Sequence, residues 1–205
     1  MPDQLIDRRL LEPVGKSGRF DRPRATFREW VSADGSTPYP AVAGRYHLYV
    51  SWACPWAHRT VIGRMLKGLE DVIGLSVVDP IRDERGWAFT GGEYTDPVNG
   101  FRFLGEAYAA NDPDYDDRLS VPVLWDKETH RIVNNESADI LRMYTTAFDG
   151  LATRDVDLYQ QPGVAETVRF DDIRRHYYMT HDSINPSRIV AVRPDEDWTE
   201  PARRG

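Results

Sequence analysis

The single cysteine of this 205-residue chain, Cys54, stands in the run Ser51-Trp52-Ala53-Cys54-Pro55-Trp56-Ala57-His58-Arg59. A thiol does chemistry as its thiolate, which is a nucleophile and a partner in mixed disulfides. The residues before Cys54 read as a strand. Those after it read as a helix with proline in its first turn, where proline is tolerated. The sulfur then faces unpaired N–H groups and the positive end of the helix dipole, a setting that lowers a thiol pKa. His58 and Arg59 add positive charge one turn on. Ala57 stands where a dithiol oxidoreductase carries its second cysteine. With no other cysteine in the chain, Cys54 cannot close an internal disulfide, and any mixed disulfide it forms needs an outside thiol to resolve it. Glutathione is the abundant intracellular thiol. A buried structural cysteine is the plainer reading of a lone Cys; the strand–Cys-Pro–helix setting argues against it.

Two further segments have chemical meaning. Val121-Pro122 leads into a strand, where a proline is either an ordinary edge residue or part of a turn with a function. Asn135-Glu136-Ser137 opens a helix. There the Glu136 carboxylate can accept from an ammonium group, and the N–H and hydroxyl of Ser137 can hold a carboxylate. The plain alternative is a capping segment with Asn135 as the cap.

These residues need elements to position them. Residues 1–44 read as an irregular arm, punctuated by Gly15, Gly18, Pro23, Gly35, Pro38 and Pro40. Arg45 to Trp52 is an aromatic, β-branched strand. From Pro55 to Leu69, Ala57, Val61, Met65 and Leu69 recur every four residues beside Ile62 and Leu66, one apolar helical stripe ended by Gly68. Val72 to Val78 is a second strand. A βαβ unit of this length implies parallel pairing. A loop over 79–99 rich in Gly, Asp and Pro follows, of a length that marks functional or disordered segments. Phe101 to Ala110 reads as a short helix. Val121 to Trp125 and His130 to Val133 form a hairpin around Asp126–Thr129. Glu136 to Tyr144 is a helix with Ala138, Leu141 and Tyr144 near its inner face, and Val164 to Met179 has the spacing of one more. The order β-α-β then β-β-α, with a cysteine at the head of the first helix, is that of an α/β thioredoxin-like domain.

Composition sets the class. With 40% hydrophobic residues the chain can bury a core, and a net charge of −7 argues against nucleic acid and anionic membranes as partners. No apolar run approaches the roughly 18 residues of a membrane helix. The first residues, MPDQLIDRRLLEPVGKSGRF, lack the apolar centre of a secretory signal, and a cytoplasmic location is the expectation.

The long motifs SWACPWAHRT (51–60), VVDP with GWAF (77–89), SVPVLWDKETHRIVNNESADILR (120–142) and DLYQQPGVAETVRFDDIRRHYYMTHDSINP (157–186) resemble the glutathionyl-hydroquinone reductases, the Omega-like Xi class of glutathione transferases. The resemblance implies a thioredoxin-like domain followed by an all-helical one. It implies glutathione-dependent reduction of glutathionyl-hydroquinones, with glutathione as co-substrate and no metal. Cys54 becomes the nucleophile that is glutathionylated and then released by a second glutathione. Trp87, Val121, Pro122, Glu136 and Ser137 become glutathione-binding residues, with Pro122 in the cis form and Val121 pairing with the glutathione backbone, in effect strand addition to a sheet edge. Tyr177 becomes a phenol at the hydroquinone pocket, able to hydrogen-bond a quinol oxygen; helix packing is the plain reading of Tyr177 and Tyr178. His176 and His181 read as surface or capping residues rather than metal ligands.

The chain departs from the family in one respect. FDGLA (148–152) matches the entry to the helical domain and DLYQQPGVAETV (157–168) a segment near its end, with the join near 153–156 and little between. On this reading residues 1–148 hold the arm and the glutathione-binding domain, and 149–205 a shortened helical remnant. That remnant is too short to bury a core alone. It must lean on the first domain, pair with a second copy or stay loose, and the family's dimer surfaces fall in the absent part. Two further readings follow from the loss: a monothiol, glutaredoxin-like deglutathionylase with an open site, or a binding remnant without turnover.

Overall fold

Large apolar side chains dictate the centre of the molecule. Tyr46–Val50 (β3) is buried along its whole length and lies between Ile73–Val77 (β4), parallel to it, and Val123–Asp126 (β5), antiparallel. Arg131–Asn134 (β6) completes the sheet as a hairpin with β5, giving the order β4-β3-β5-β6. The computed structural model describes residues 25–154 and 169–180. The parallel β3–β4 pair and the hairpin agree with the sequence reading, and the domain is thioredoxin-like. Trp125, Tyr46, Tyr49, Tyr144 and Phe148 are fully buried. Phe148 meets Tyr46 edge-on with centroids 5.5 Å apart, the arrangement ring quadrupoles favour.

Pro55–Leu66 (α1) and Ser137–Tyr144 (α3) pack together over the sheet. Their faces agree with the sequence reading in part: Ala57, Val61 and Leu66 of α1 and Tyr144 of α3 are buried as expected. In α1 the buried set is Ala57, Thr60, Val61, Gly63 and Leu66, while Ile62 and Met65 are only half-buried. In α3 Ile140, Met143 and Tyr144 are buried, while Ala138 and Leu141 are half-buried, Leu141 against Gly63 of α1. Gly63, lacking a side chain, admits Leu141 and the Tyr144 ring against the α1 backbone. α1 ends three residues before the expected Leu69. Gly68, at φ +64°, reverses the chain there, and its N–H bonds to the Met65 carbonyl, a left-handed helix stop that glycine enters without strain.

Three more differences appear. The short helix before the hairpin is Gly105–Asn111 (α2), starting later than expected. The described part of the arm is not irregular throughout: Val31–Ser32 (β1) pairs parallel with Tyr39–Pro40 (β2), and residues 27–29 line the outer edge of β6. There the Glu29 N–H bonds to Val133 O (2.9 Å) and the Asn135 N–H to Phe27 O (3.0 Å), so this edge is covered. Finally, Phe170–Thr180 (α4) begins inside the expected 164–179 helix; residues 164–168 lie outside the described part.

α4 leans on the loop after β4. Tyr94 Oη donates to Asp172 Oδ1 (3.0 Å), Arg169 grips Glu93 through two 3.2 Å bonds, and His176 Nδ1 donates to the Pro80 carbonyl (2.7 Å). Burial raises the Asp172 pKa from its ordinary value, opposed by the Tyr94 hydrogen bond and Arg169.

Candidate active site

The chain turns at Trp52 and Ala53 after β3, and Cys54 becomes the N-cap residue of α1, in extended conformation at φ −96° and ψ 113°. Its side chain caps nothing. The Cys54 N–H bonds to Ser51 O (3.1 Å) and Pro55 follows in the first turn, which fixes the thiol at the positive end of the helix. The thiol is half-buried and lies 3.7 Å from the Val121 carbonyl, which accepts from it.

Val121 and Pro122 are joined by a cis peptide bond and are both buried. They lead into β5, which lies between β3 and β6. The backbone beside the thiol is therefore the segment entering an inner strand, not an edge strand as the sequence reading had it.

Glu136 and Ser137 come to the same side of the molecule through Arg59 of α1. The guanidinium donates to Ser137 Oγ from Nε (3.0 Å) and Nη2 (2.6 Å), and Nη2 lies 3.5 Å from Glu136 Oε1. A guanidinium only donates, so Ser137 Oγ acts as acceptor toward it, while its own hydrogen is directed at Glu136 Oε1, 3.5 Å away. Glu136, not Asn135, is the N-cap of α3, and its carboxylate accepts from the Ala138 N–H (3.2 Å). Asn135 instead fastens the arm and α2, accepting from the Phe27 N–H and donating to Tyr108 Oη. Sequence reasoning noticed Arg59 as a charge near Cys54. Its grip on Ser137 joins residues 78 positions apart and leaves no local signal.

Trp87 makes its contacts elsewhere, on the loop after β4. It is 4% exposed, and its indole Nε1 is buried without a hydrogen-bond partner. The Arg82 guanidinium lies 5.0 Å from its ring centroid, and the His176 imidazole stacks on it at 5.2 Å and 17°. His176 is thus buried in the contact between α4 and this loop, correcting its reading as a surface or capping residue. Tyr177 and Tyr178 lie on α4, with side chains outside the described part; His181 lies outside it entirely. Among the described residues no three His, Cys, Asp or Glu side chains converge as a metal site requires, and no helix is long and apolar enough to cross a membrane.

The family model for the glutathione S-transferase N-terminal domain matches residues 53–147. Glutathionyl-hydroquinone reductase YqjG of Escherichia coli is 33% identical over 304 positions, covering 91% of this chain and 92% of that protein. An alignment longer than the 205 residues present here carries a gap on this side, as the abrupt passage from FDGLA to DLYQQPGVAETV leads one to expect. Glutathionyl-hydroquinone reductase PcpF of Sphingobium chlorophenolicum is 43% identical over 144 positions, and the chain spans 45% of its length. Among solved structures, a Xi-class transferase from Natrialba magadii superposes with a TM-score of 0.82 at 34% identity, covering 90% of this chain and 93% of that one. The glutathione-bound YqjG structure gives 0.78 at 32%, covering 85% and 95%. With the thiol at the head of α1 and the cis bond beside it, these likenesses settle the family: the chain belongs to the glutathionyl-hydroquinone reductases, the Xi class of glutathione transferases, which are glutathione-dependent enzymes.

Proposed function

We propose that this protein reduces glutathionyl-hydroquinones to hydroquinones through a mixed disulfide on Cys54. The observation that carries the reading is the Cys54 thiol at the N-terminus of α1, 3.7 Å from the backbone carbonyl that precedes the cis proline. A glutathione laid along residues 120–121 would bring its own sulfur to this thiol. Trp87, Val121, Glu136 and Ser137 would bind it, with Glu136 accepting from the γ-glutamyl ammonium and Ser137 donating to its carboxylate.

The chemistry has two steps. The Cys54 thiolate attacks the sulfur of the substrate thioether; the S–S bond forms, and the C–S electron pair goes to the ring carbon, which takes a proton. Hydroquinone leaves and Cys54 is glutathionylated. A second glutathione then attacks the glutathione sulfur of the mixed disulfide and releases oxidised glutathione and the Cys54 thiolate. The proton lost by that thiol balances the one gained by the ring. The ring is reduced and two glutathiones are oxidised. Tyr177 of α4 would hydrogen-bond the quinol oxygen.

The test is intact mass after mixing the protein with one equivalent of glutathionyl-hydroquinone and no added glutathione. A single glutathione adduct at Cys54 with one equivalent of hydroquinone released is the expected result. An adduct formed from glutathionylated peptides but never from the hydroquinone conjugate would favour a glutaredoxin-like deglutathionylase. No adduct from either would leave a binding protein.

A further inference from the structure

The contact between α4 and the loop after β4 has a feature that docking alone does not require. Trp87 is almost fully buried, yet its indole Nε1 has no hydrogen-bond partner. Buried N–H groups in native proteins are nearly always paired, and an exception calls for an explanation such as an absent ligand. An indole N–H only donates, so the missing partner is an acceptor. Glutathione offers two carboxylates and two amide carbonyls.

A donor is useful only when aimed; the Leu104 N–H holds the Trp87 carbonyl (2.9 Å) and Ala88 bridges Phe103, but these backbone bonds do not restrain the plane of the indole. His176 supplies that restraint. A carbonyl only accepts, so His176 Nδ1 carries the proton it gives to Pro80 O at 2.7 Å. That bond fixes the imidazole plane against the start of the loop. The same ring stacks on Trp87, nearly parallel, seven residues further along. One side chain of α4 thus ties both ends of the Pro80–Trp87 segment and sets the plane of the indole.

We propose that His176 is a positioning residue for glutathione, acting through Trp87, and that α4 thereby belongs to the glutathione site of the thioredoxin-like domain. This rests on the reading of Trp87 as a glutathione-binding residue. The other ties of α4 to the loop, Tyr94 to Asp172 and Arg169 to Glu93, hold the helix without touching the indole. They provide the control that separates aiming from docking.

The experiment is a double-mutant cycle on the full chain, reading the glutathione Kd by calorimetry and kcat at saturating glutathione. H176A should raise Kd about tenfold, the scale of one aromatic contact with an aimed donor, with kcat changed less than about twofold. H176F, which keeps a flat ring but loses the Pro80 bond, should fall between. H176A in a W87F background should change nothing further, and Y94F should leave Kd within about twofold. The inference is overturned if H176A has no effect, if it costs the same with and without Trp87, or if Y94F matches it. Wild type that binds no glutathione would overturn the functional reading and this inference together; wild type that binds with no coupling between His176 and Trp87 overturns the inference alone.

Discussion

Replacing His47 by glutamine should remove much of the sensitivity of this fold to mild acid. His47 lies on β3 opposite Gly74 of β4, and a Cβ at that glycine would strike the imidazole. The ring is 4% exposed, bonds through Nε2 to Ser76 Oγ at 2.8 Å and packs beside Tyr49. Burial pushes its pKa down from 6.5 to about 4, with Asp96 opposing the shift and Lys127 and Arg64 adding to it. The sign is the reverse of an ion-paired histidine. Above pH 6.5 both folded and unfolded chains hold a neutral imidazole and His47 costs nothing. Below 6.5 the unfolded chain takes a proton that the folded one refuses, so stability falls as pH drops from 6.5 toward 4. The loss by pH 5 is about 2 kcal/mol, approaching about 3 kcal/mol below pH 4. The assay is urea unfolding of wild type and H47Q at pH 7.5, 6 and 5. H47Q has its own fixed cost at pH 7.5, so the informative quantity is the difference between the curves. That difference should shrink by about 2 kcal/mol on going to pH 5. Parallel pH dependences, or an NMR titration in which the His47 ring protonates near pH 6.5 in the folded protein, would refute the reasoning.

Three other outcomes are expected. G68A should destabilise by about 1–3 kcal/mol in urea unfolding, because φ is +64° there and the new methyl meets Thr153 Oγ1; T153A should recover only the steric part. D126N should cost about 3–5 kcal/mol in the same assay, since Asp126 is fully buried and takes the Arg45 guanidinium through bonds of 2.8 and 2.6 Å; R45M/D126L should regain much of it. R59Q should weaken glutathione binding about tenfold, because the guanidinium that sets Ser137 Oγ as an acceptor is gone; an unchanged Kd would deny Arg59 that role.

Much of the geometry around Cys54 was legible because its signals are local. A strand of Tyr, Leu and Val, a Cys-Pro pair and a four-residue apolar period specify β3, Cys54 and α1 within a short window, and Val121-Pro122 announces the turn before β5. The rest depends on contacts distant in sequence. Gly63 reads as a neutral helix position until Leu141 and Tyr144 are packed on it, and nothing local shows that Ile140 and Met143 join Tyr144 in the core. Residues 27–29 lack alternation and pair with β6 through contacts about a hundred positions away, as in the 105-residue span from Asn134 to Glu29. His176 looks like any helical histidine. Its packing exists only because Pro80, 96 positions earlier, and Trp87 converge on it.

The central claim is that Cys54 cleaves a glutathionyl thioether. Its most direct test is steady-state turnover of glutathionyl-menadiol with excess glutathione by wild type and Cys54→Ser. Menadiol release by wild type with stoichiometric oxidised glutathione, falling at least about a thousandfold in the serine variant, is the result predicted. Equal turnover by both proteins, or none by a wild type that still forms the Cys54–glutathione adduct, would contradict the account.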